Sequence, residues 1–184
     1  GEAPDLTALV RGGVEPHWAR AELEEHFVWA PLDVLGEPDS GQRLDAVDAL
    51  LLAQPRALAG VENVALDDWV RAGGRVLLFA DPAMSGESLY AFGDRRRPHD
   101  VTLLSPILAR WGLELVFDEA SAPTQRSAVA NGVTIPVNLP GRLQARTPTG
   151  GAEAGCVIAA DAITADCRIG AGRVLVVADA ALLD

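Results

Sequence analysis

Lysine is absent from this 184-residue chain: all 15 of its basic residues are arginine. That excludes lysine chemistry, whether a Schiff base or a phosphate-loop lysine. The accompanying Ala, Gly and Arg bias attributes the absence to genomic base composition. Excess positive charge is lacking too, with a formal net charge of −11 and a pI of about 4.6. A nucleic-acid partner needs a basic face to neutralise phosphates, and the sequence predicts none. The same balance opposes attraction to an anionic membrane surface. No apolar run approaches the ~18 residues of a membrane-spanning helix, and neither such a helix nor a signal peptide is expected within these residues. The chain starts at Gly1 rather than Met and stops just after the strand-like run "RVLVVADAALLD". The expectation is an excised soluble piece of a longer protein, with membrane segments outside it.

Cysteine is scarce as well. Cys156 and Cys167 are the two present. They suit neighbouring strands of a hairpin, where a disulfide forms in an oxidising compartment. Two buried reduced thiols fit the spacing equally. There is no CxxC spacing, and His17, His26 and His99 are scattered, so no metal site is expected. No cofactor is implied.

What the chain does have is 49% hydrophobic residues against 22% charged. Length and composition suit one globular domain with a real core. "EPHWARAELEEHF" reads as a helix, with Pro16 in its first turn and Ala19, Leu23 and Phe27 on one face. Glu22, Glu24 and Glu25 fall on the solvated side. "FVWAPLDVL" reads as a short edge strand broken by Pro31, and "GEPDSGQRL" as a loop.

"AVDALLLAQP" then predicts a buried strand, because continuous apolar runs suit strands covered on both faces. "VENVALDDWVRAGG" predicts a helix whose inner stripe is Val61, Ala65, Leu66, Trp69 and Val70, with Gly73 as its left-handed stop. "RVLLFA" is a second buried strand. The irregular stretch from Pro82 to Asp100 is long for a plain connection. "TLLSPILARWG" predicts a helix capped by Thr102, with Pro106 in its first turn. Its inner face is Leu103, Leu104, Ile107, Leu108 and Trp111, and Gly112 ends it. "LELVFD" comes next as a strand. Asn131–Gly132 between "SAVA" and "VTIPV" signals a hairpin. "CVIAADAITADCRIGAGRVLVVAD" predicts three strands joined by short turns, the last central and parallel.

The alternation of strand and helix predicts an α/β domain spanning 1–184, a mostly parallel sheet with helices on both faces. The β-rich stretch 120–160 is an insertion or an extension of that sheet. In open α/β sheets, ligands sit beyond the carboxyl ends of the strands. Gln54, Asp81 and Asp179 each come just after a buried strand, and Ser85, Tyr90 and Phe92 lie past Asp81 in the long loop. Gln54, Asp81, Ser85, Tyr90 and Asp179 are therefore the candidate ligand-binding residues. The alternative for each aspartate is a cap on the loop or helix after it. Arg95–Arg97 is an anion site or a solvated turn. "VRGGVEP" and "RAGGRV" lack the strand-before, helix-after context of a phosphate loop.

The strand–helix–strand "DALLLAQP…DDWVRAGGRVLLFADP" resembles the core of class I glutamine amidotransferase-like folds. The turn that carries the nucleophilic Cys in those enzymes is here Asp81–Pro82. Without that nucleophile or a His–Glu partner, no amidotransferase or triad hydrolase activity is expected. The same stretch, with "HWARAELEEHFVWAPLD" before it, "LLSPILARWGLELVFD" after it and "GAGRVLVVADAALLD" at the end, also resembles another family. It looks like the soluble domain of gliding-motility-type ABC-transporter auxiliary proteins. That resemblance implies a flavodoxin-like or amidotransferase-like domain on the periplasmic or extracytoplasmic face of a bacterial inner membrane. It implies anchoring by segments outside this chain, ABC permease and ATPase subunits as partners, and a small-molecule or sugar ligand. Two function classes result: a non-enzymatic auxiliary domain that binds at the strand carboxyl ends, or a hydrolase-like or metal-dependent enzyme using Asp81 and Asp179.

Overall fold

The computed structural model describes residues 17–36, 44–84, 91, 93–94, 97, 99–117, 125–130, 132–151 and 154–183. It separates into two units, Gly1–Pro31 and Leu32–Asp184. In the first, helix α1 spans Trp18–His26, as its periodicity predicts. His17 Nδ1 accepts the Ala19 N–H at 3.3 Å, which answers one of the free amides of the first turn. Arg20 and Glu24 pair across one turn at 2.7 Å. No residue of α1 is buried. The strand expected in "FVWAPLDVL" does not form: residues 27–36 carry no strand. Pro31 lacks an amide donor, and no described strand pairs with this segment.

In the second unit, β1 (Leu50–Ala53), α2 (Gly60–Arg71) and β2 (Arg75–Phe79) succeed one another as predicted. Next come α3 (Ser105–Arg110), β3 (Leu113–Val116), β4 (Gln125–Ala130), β5 (Val133–Asn138) and β6 (Arg142–Ala145). The chain closes with β7 (Ala154–Ile158), β8 (Thr164–Ile169) and β9 (Gly172–Val177). The main sheet has the order β1-β2-β9-β8-β7. β1, β2 and β9 run parallel, whereas β8 and β7 are antiparallel to their neighbours. β3 pairs with β6, and β4 with β5, as two separate antiparallel ribbons.

This overturns the expected mostly parallel, flavodoxin-like or amidotransferase-like sheet with helices on both faces. Only three of the described strands are parallel, because β7, β8 and β9 form an up-and-down meander whose short turns permit only antiparallel neighbours. "LELVFD" becomes β3, but it joins β6 and not the main sheet. Both α2 and α3 lie on the same face. Leu66 and Val70 from α2, and Ile107 and Leu108 from α3, share one core with Val76, Leu78, Val174 and Val176 of the sheet. The opposite face carries Phe79 and Val177. It is covered at that end by Ile135 and Val137 of the β4–β5 hairpin. Fully burying each such aliphatic side chain contributes about 1.5–3 kcal/mol.

The helix faces are only partly legible in the sequence. Val61 and Leu103, both expected inside, are 70% and 57% exposed. Thr102 does not cap α3, whose N-cap is Leu104. Glycine is required where α2 meets β9. A Cβ on Gly172 would stand 1.9 Å from the Val70 carbonyl oxygen. Gly73, with φ +123°, ends α2 as expected.

Two buried carboxylates tie the helices down. Asp67 on α2 accepts from Arg71 Nε at 2.9 Å, Arg110 Nε at 2.5 Å and Trp111 Nε1 at 3.1 Å. Burial alone would raise its pKa, but these three donors outweigh it and hold the pKa below the usual carboxylate value. Glu62, at the third position of α2, accepts the Ala59 N–H at 2.8 Å, one half of a capping box. It also accepts the Leu35 N–H at 3.1 Å.

Candidate functional site

The three parallel strands end side by side, and Gln54, Asp81 and Asp179 sit just beyond them. The strand ladder continues into this rim: Gln54 N–H donates to Phe79 O at 3.1 Å, and Ala80 N–H to Val177 O at 2.8 Å. Gln54 adopts the left-handed conformation with φ 45°, uncommon for a side chain of its size. Its amide holds it there. Nε2 donates to Asp81 O at 2.8 Å and His99 O at 2.9 Å, and Oε1 accepts the Asp81 N–H at 2.8 Å. The side chain thereby stitches the β1 and β2 exits together as an extra backbone strand would.

Both aspartates are buried, each 1% exposed. Asp81 Oδ1 accepts the Ala83 N–H at 2.8 Å, and Oδ2 accepts the Ala180 N–H at 3.2 Å. Asp179 Oδ1 accepts the Ala181 N–H at 2.7 Å, and Oδ2 accepts the Asn138 N–H at 2.9 Å. All four carboxylate oxygens therefore take backbone donors. Asp81 links the β2 exit to the β9 exit, and Asp179 links β9 to the hairpin strand β5. The structure thus brings Gln54, Asp81 and Asp179 together and makes them the bracing of the rim. Ser85, Tyr90, Phe92, Arg95 and Arg96 lie outside the described residues. Arg97 pairs with Asp100 at 2.9 Å within its own turn.

A cleft of about 230 Å³ opens beside this bracing. Its walls are Pro82 from the turn after Asp81, Val101, Thr102, Ser105, Leu115 and Phe117, with Leu104 and Leu108 beneath. Asp81 O accepts the Thr102 N–H at 3.0 Å, which hangs this wall on the rim. The Thr102 hydroxyl oxygen is buried with no hydrogen-bond partner. Leaving such a group unpaired costs about 1–3 kcal/mol. Gly141 fits tightly here, since a Cβ would approach Leu115 to 2.6 Å and Pro82 to 3.0 Å. Sequence reasoning misses this cleft. Thr102 reads locally as a helix cap, and the partnering of β3 with β6 that sets Leu115 into the wall has no local signal.

The two cysteines face each other across β7 and β8 and are joined as a disulfide. Among the described residues no cluster of His, Cys, Asp or Glu is disposed to hold a metal ion. No described helix is long and apolar enough to cross a membrane.

The structure is thus a mixed sheet with a braced carboxyl-end rim, a small cleft beside it, and rim carboxylates that accept backbone amides. Residues 17–138 match the family described as an ABC-type uncharacterized transport system. The chain belongs to that family and is an auxiliary component of an ABC-type transport system. No curated protein matches it significantly. Among solved structures, it has partial likeness to an exo-beta-1,4-mannosidase from Opitutaceae bacterium strain TAV5. Identity there is 18% and the TM-score 0.47, over 75% of this chain and 21% of the other. A GH42 beta-galactosidase from G. stearothermophilus gives 12% and 0.44, over 72% and 19%. A beta-galactosidase from Rahnella sp. R3 gives 13% and 0.44, over 74% and 20%. The chain spans about a fifth of the length of these proteins.

Proposed function

We propose that the domain is non-enzymatic. On this reading it serves its transport system by binding a partner protein or a small ligand at the carboxyl-end rim, through the cleft between Pro82 and Thr102. The observation that carries this reading is the use of the rim's polar groups. Gln54, Asp81 and Asp179 are engaged with backbone atoms, so they shape the rim without presenting a nucleophile or a metal set. The cleft beside them, walled by Pro82, Val101, Ser105, Leu115 and Phe117, is the surface left to meet a partner or ligand. A cleft of about 230 Å³ lies below the ~300–1,000 Å³ usual for whole small-molecule pockets. It suits a monosaccharide-sized group or one side chain of a partner. The partners in this reading are the ABC permease and ATPase subunits. The Cys156–Cys167 disulfide favours the periplasmic or extracytoplasmic side, where such bonds persist.

The test is association with the permease and ATPase in the assembled transporter, with the chain in its full-length context. Ser105→Trp fills the cleft from an exposed position. It is expected to abolish association or ligand-dependent transport while the melting temperature holds. Turnover of any substrate that Asp81→Asn eliminates without unfolding the domain would replace this reading with the hydrolase-like or metal-dependent one.

A further inference from the structure

Three arginines stand shoulder to shoulder across the main sheet. Arg75 on β2 is in register with Arg173 on β9, and Arg173 is in register with Arg168 on β8. Neighbouring strands lie about 4.8 Å apart, and like charges directly opposite destabilise a sheet. One carboxylate, Asp166, faces them: Arg173 Nε donates to its Oδ1 at 2.9 Å, and Nη2 donates to Oδ2. Arg75 and Arg168 make no ion pair among the described residues. The row therefore carries a net charge of +2 in a chain of −11.

Its surroundings are apolar and open. Alternation along each strand places the row on the face opposite α2 and α3. On that face, Leu51 and Leu77 are half-buried against the cluster that includes the hairpin, and Leu175 is half-buried on β9. Val157 is 75% exposed, and a Cβ added at Gly155, the register neighbour of Arg168, would meet nothing within 4 Å. A depression of about 190 Å³ sits between Arg75, Asp166, Arg173 and Leu175. The β4–β5 hairpin covers only the carboxyl-end half of this face. Neither α2 nor α3 covers the amino-end half, since both pack on the other side.

The geometry points to this half-face as the docking site for an amphipathic helix of a partner protein, with an apolar stripe flanked by Asp or Glu. The stripe would cover Leu51, Leu77 and Leu175, and the flanking carboxylates would lie over the arginine row. Guanidinium forks suit such carboxylates because they can bond them bidentately. A small anion would leave the leucines uncovered, and an anionic bilayer, far broader than one helix, would bring the rest of this acidic chain against its charge. This surface is separate from the rim cleft, and the inference does not depend on what the cleft binds.

The test is an NMR titration of the full chain with methyl and amide detection. The probe is a synthetic helical peptide of roughly 20 residues, long enough to cross the sheet, with a Leu stripe flanked by Glu. Its counterpart has every Glu changed to Gln, and vesicles of phosphatidylcholine with phosphatidylserine form a third arm. The Glu peptide is expected to shift the methyl signals of Leu51, Leu77, Leu175 and Val157, with binding that weakens as salt rises. The double variant Arg75→Gln/Arg168→Gln should weaken that binding at least about tenfold while the melting temperature stays level or rises. Arg75→Lys/Arg168→Lys should retain part of it. Equal binding of the Gln peptide, shifts confined to other surfaces, or stronger binding to the vesicles would overturn the proposal. Self-association of the chain that the double Gln variant relieves would also overturn it, in favour of a second copy.

Discussion

Arg56 grips Glu62 with two guanidinium nitrogens, each 2.7 Å from a carboxylate oxygen. The same carboxylate takes the amides of Ala59 and Leu35. One buried glutamate therefore starts α2, fixes the β1–α2 connection and holds the segment before β1. The Arg56 hydrogen bonds, opposed by burial and helped by the two amides, lower its pKa to about 2. Between that value and the ordinary pKa of 4.5, the unfolded chain binds the proton more readily. Stability from this group is thus complete above the unfolded value and is lost as pH falls toward 2. Urea unfolding should show Glu62→Gln costing up to about 3 kcal/mol at pH 7. The half-exposed Arg56 head reduces that figure. The gap between variant and parent should close as pH falls from 5 to about 2.

Asp67 is the second such anchor, fully buried beneath two arginines and the Trp111 indole. Replacing it with Asn keeps the shape and removes the charge that both guanidinium groups face. Breaking one member of a buried pair costs about 3–5 kcal/mol. Asp67→Asn should lower stability by that order and alter Trp111 emission, measured by denaturant titration with fluorescence detection.

Cys156 and Cys167 close a short loop around the β7–β8 turn. Loop-closure entropy for a span of this size gives roughly 2–3 kcal/mol. The double variant Cys156→Ala/Cys167→Ala should melt at a lower temperature than the parent, and a reductant should lower the melting temperature of the parent alone.

The rim predicts its own failure mode. Gln54→Leu leaves the Asp81 N–H and the His99 carbonyl without their partner, at about 1–3 kcal/mol for each group left buried and unpaired. Hydrogen exchange should accelerate at Asp81, Ala83 and Thr102, while the amides of β7 remain protected. Uniform acceleration across the sheet would show that Gln54 supports the whole domain and not the rim in particular.

The close approach at Gly172 gives a sharper check. Its added Cβ would meet backbone, which cannot swing aside as a side chain can. Gly172→Ala should cost about 1–3 kcal/mol or more through forced separation of α2 from β9. The same change at Gly155, where a Cβ meets open space, should cost little.

Much of the candidate site is readable along the chain. Gln54, Asp81 and Asp179 each come after an apolar run, and runs of that kind end at the rim of a sheet. The alternative role for the aspartates, as caps on the next turn of chain, is also written locally: Asp81 accepts from Ala83, and Asp179 from Ala181. The other half of each carboxylate's work is not local. Asp81 meets the Ala180 amide 99 residues away, and Asp179 meets the Asn138 amide 41 residues away. The cleft is hidden for the same reason, because its walls come from the β2 exit, the start of α3 and the end of β3.

The sequence by itself determined the elements: β1, α2, β2, the β4–β5 hairpin and the closing strands. Periodicity, helix-stop glycines and turn residues act over a few positions, and they suffice for that. It also determined the absence of lysine chemistry and the family resemblance. Only the tertiary structure decided that β8 runs against β9 and β7 against β8, that α2 and α3 share one face, and that Arg75, Arg173 and Arg168 form a row. Strand direction, coverage and register depend on contacts between distant segments, and a one-residue pattern of apolar runs is the same whichever neighbour covers them. A parallel strand covered by helices and a strand covered by a hairpin bury the same valines, so the choice belongs to the packing.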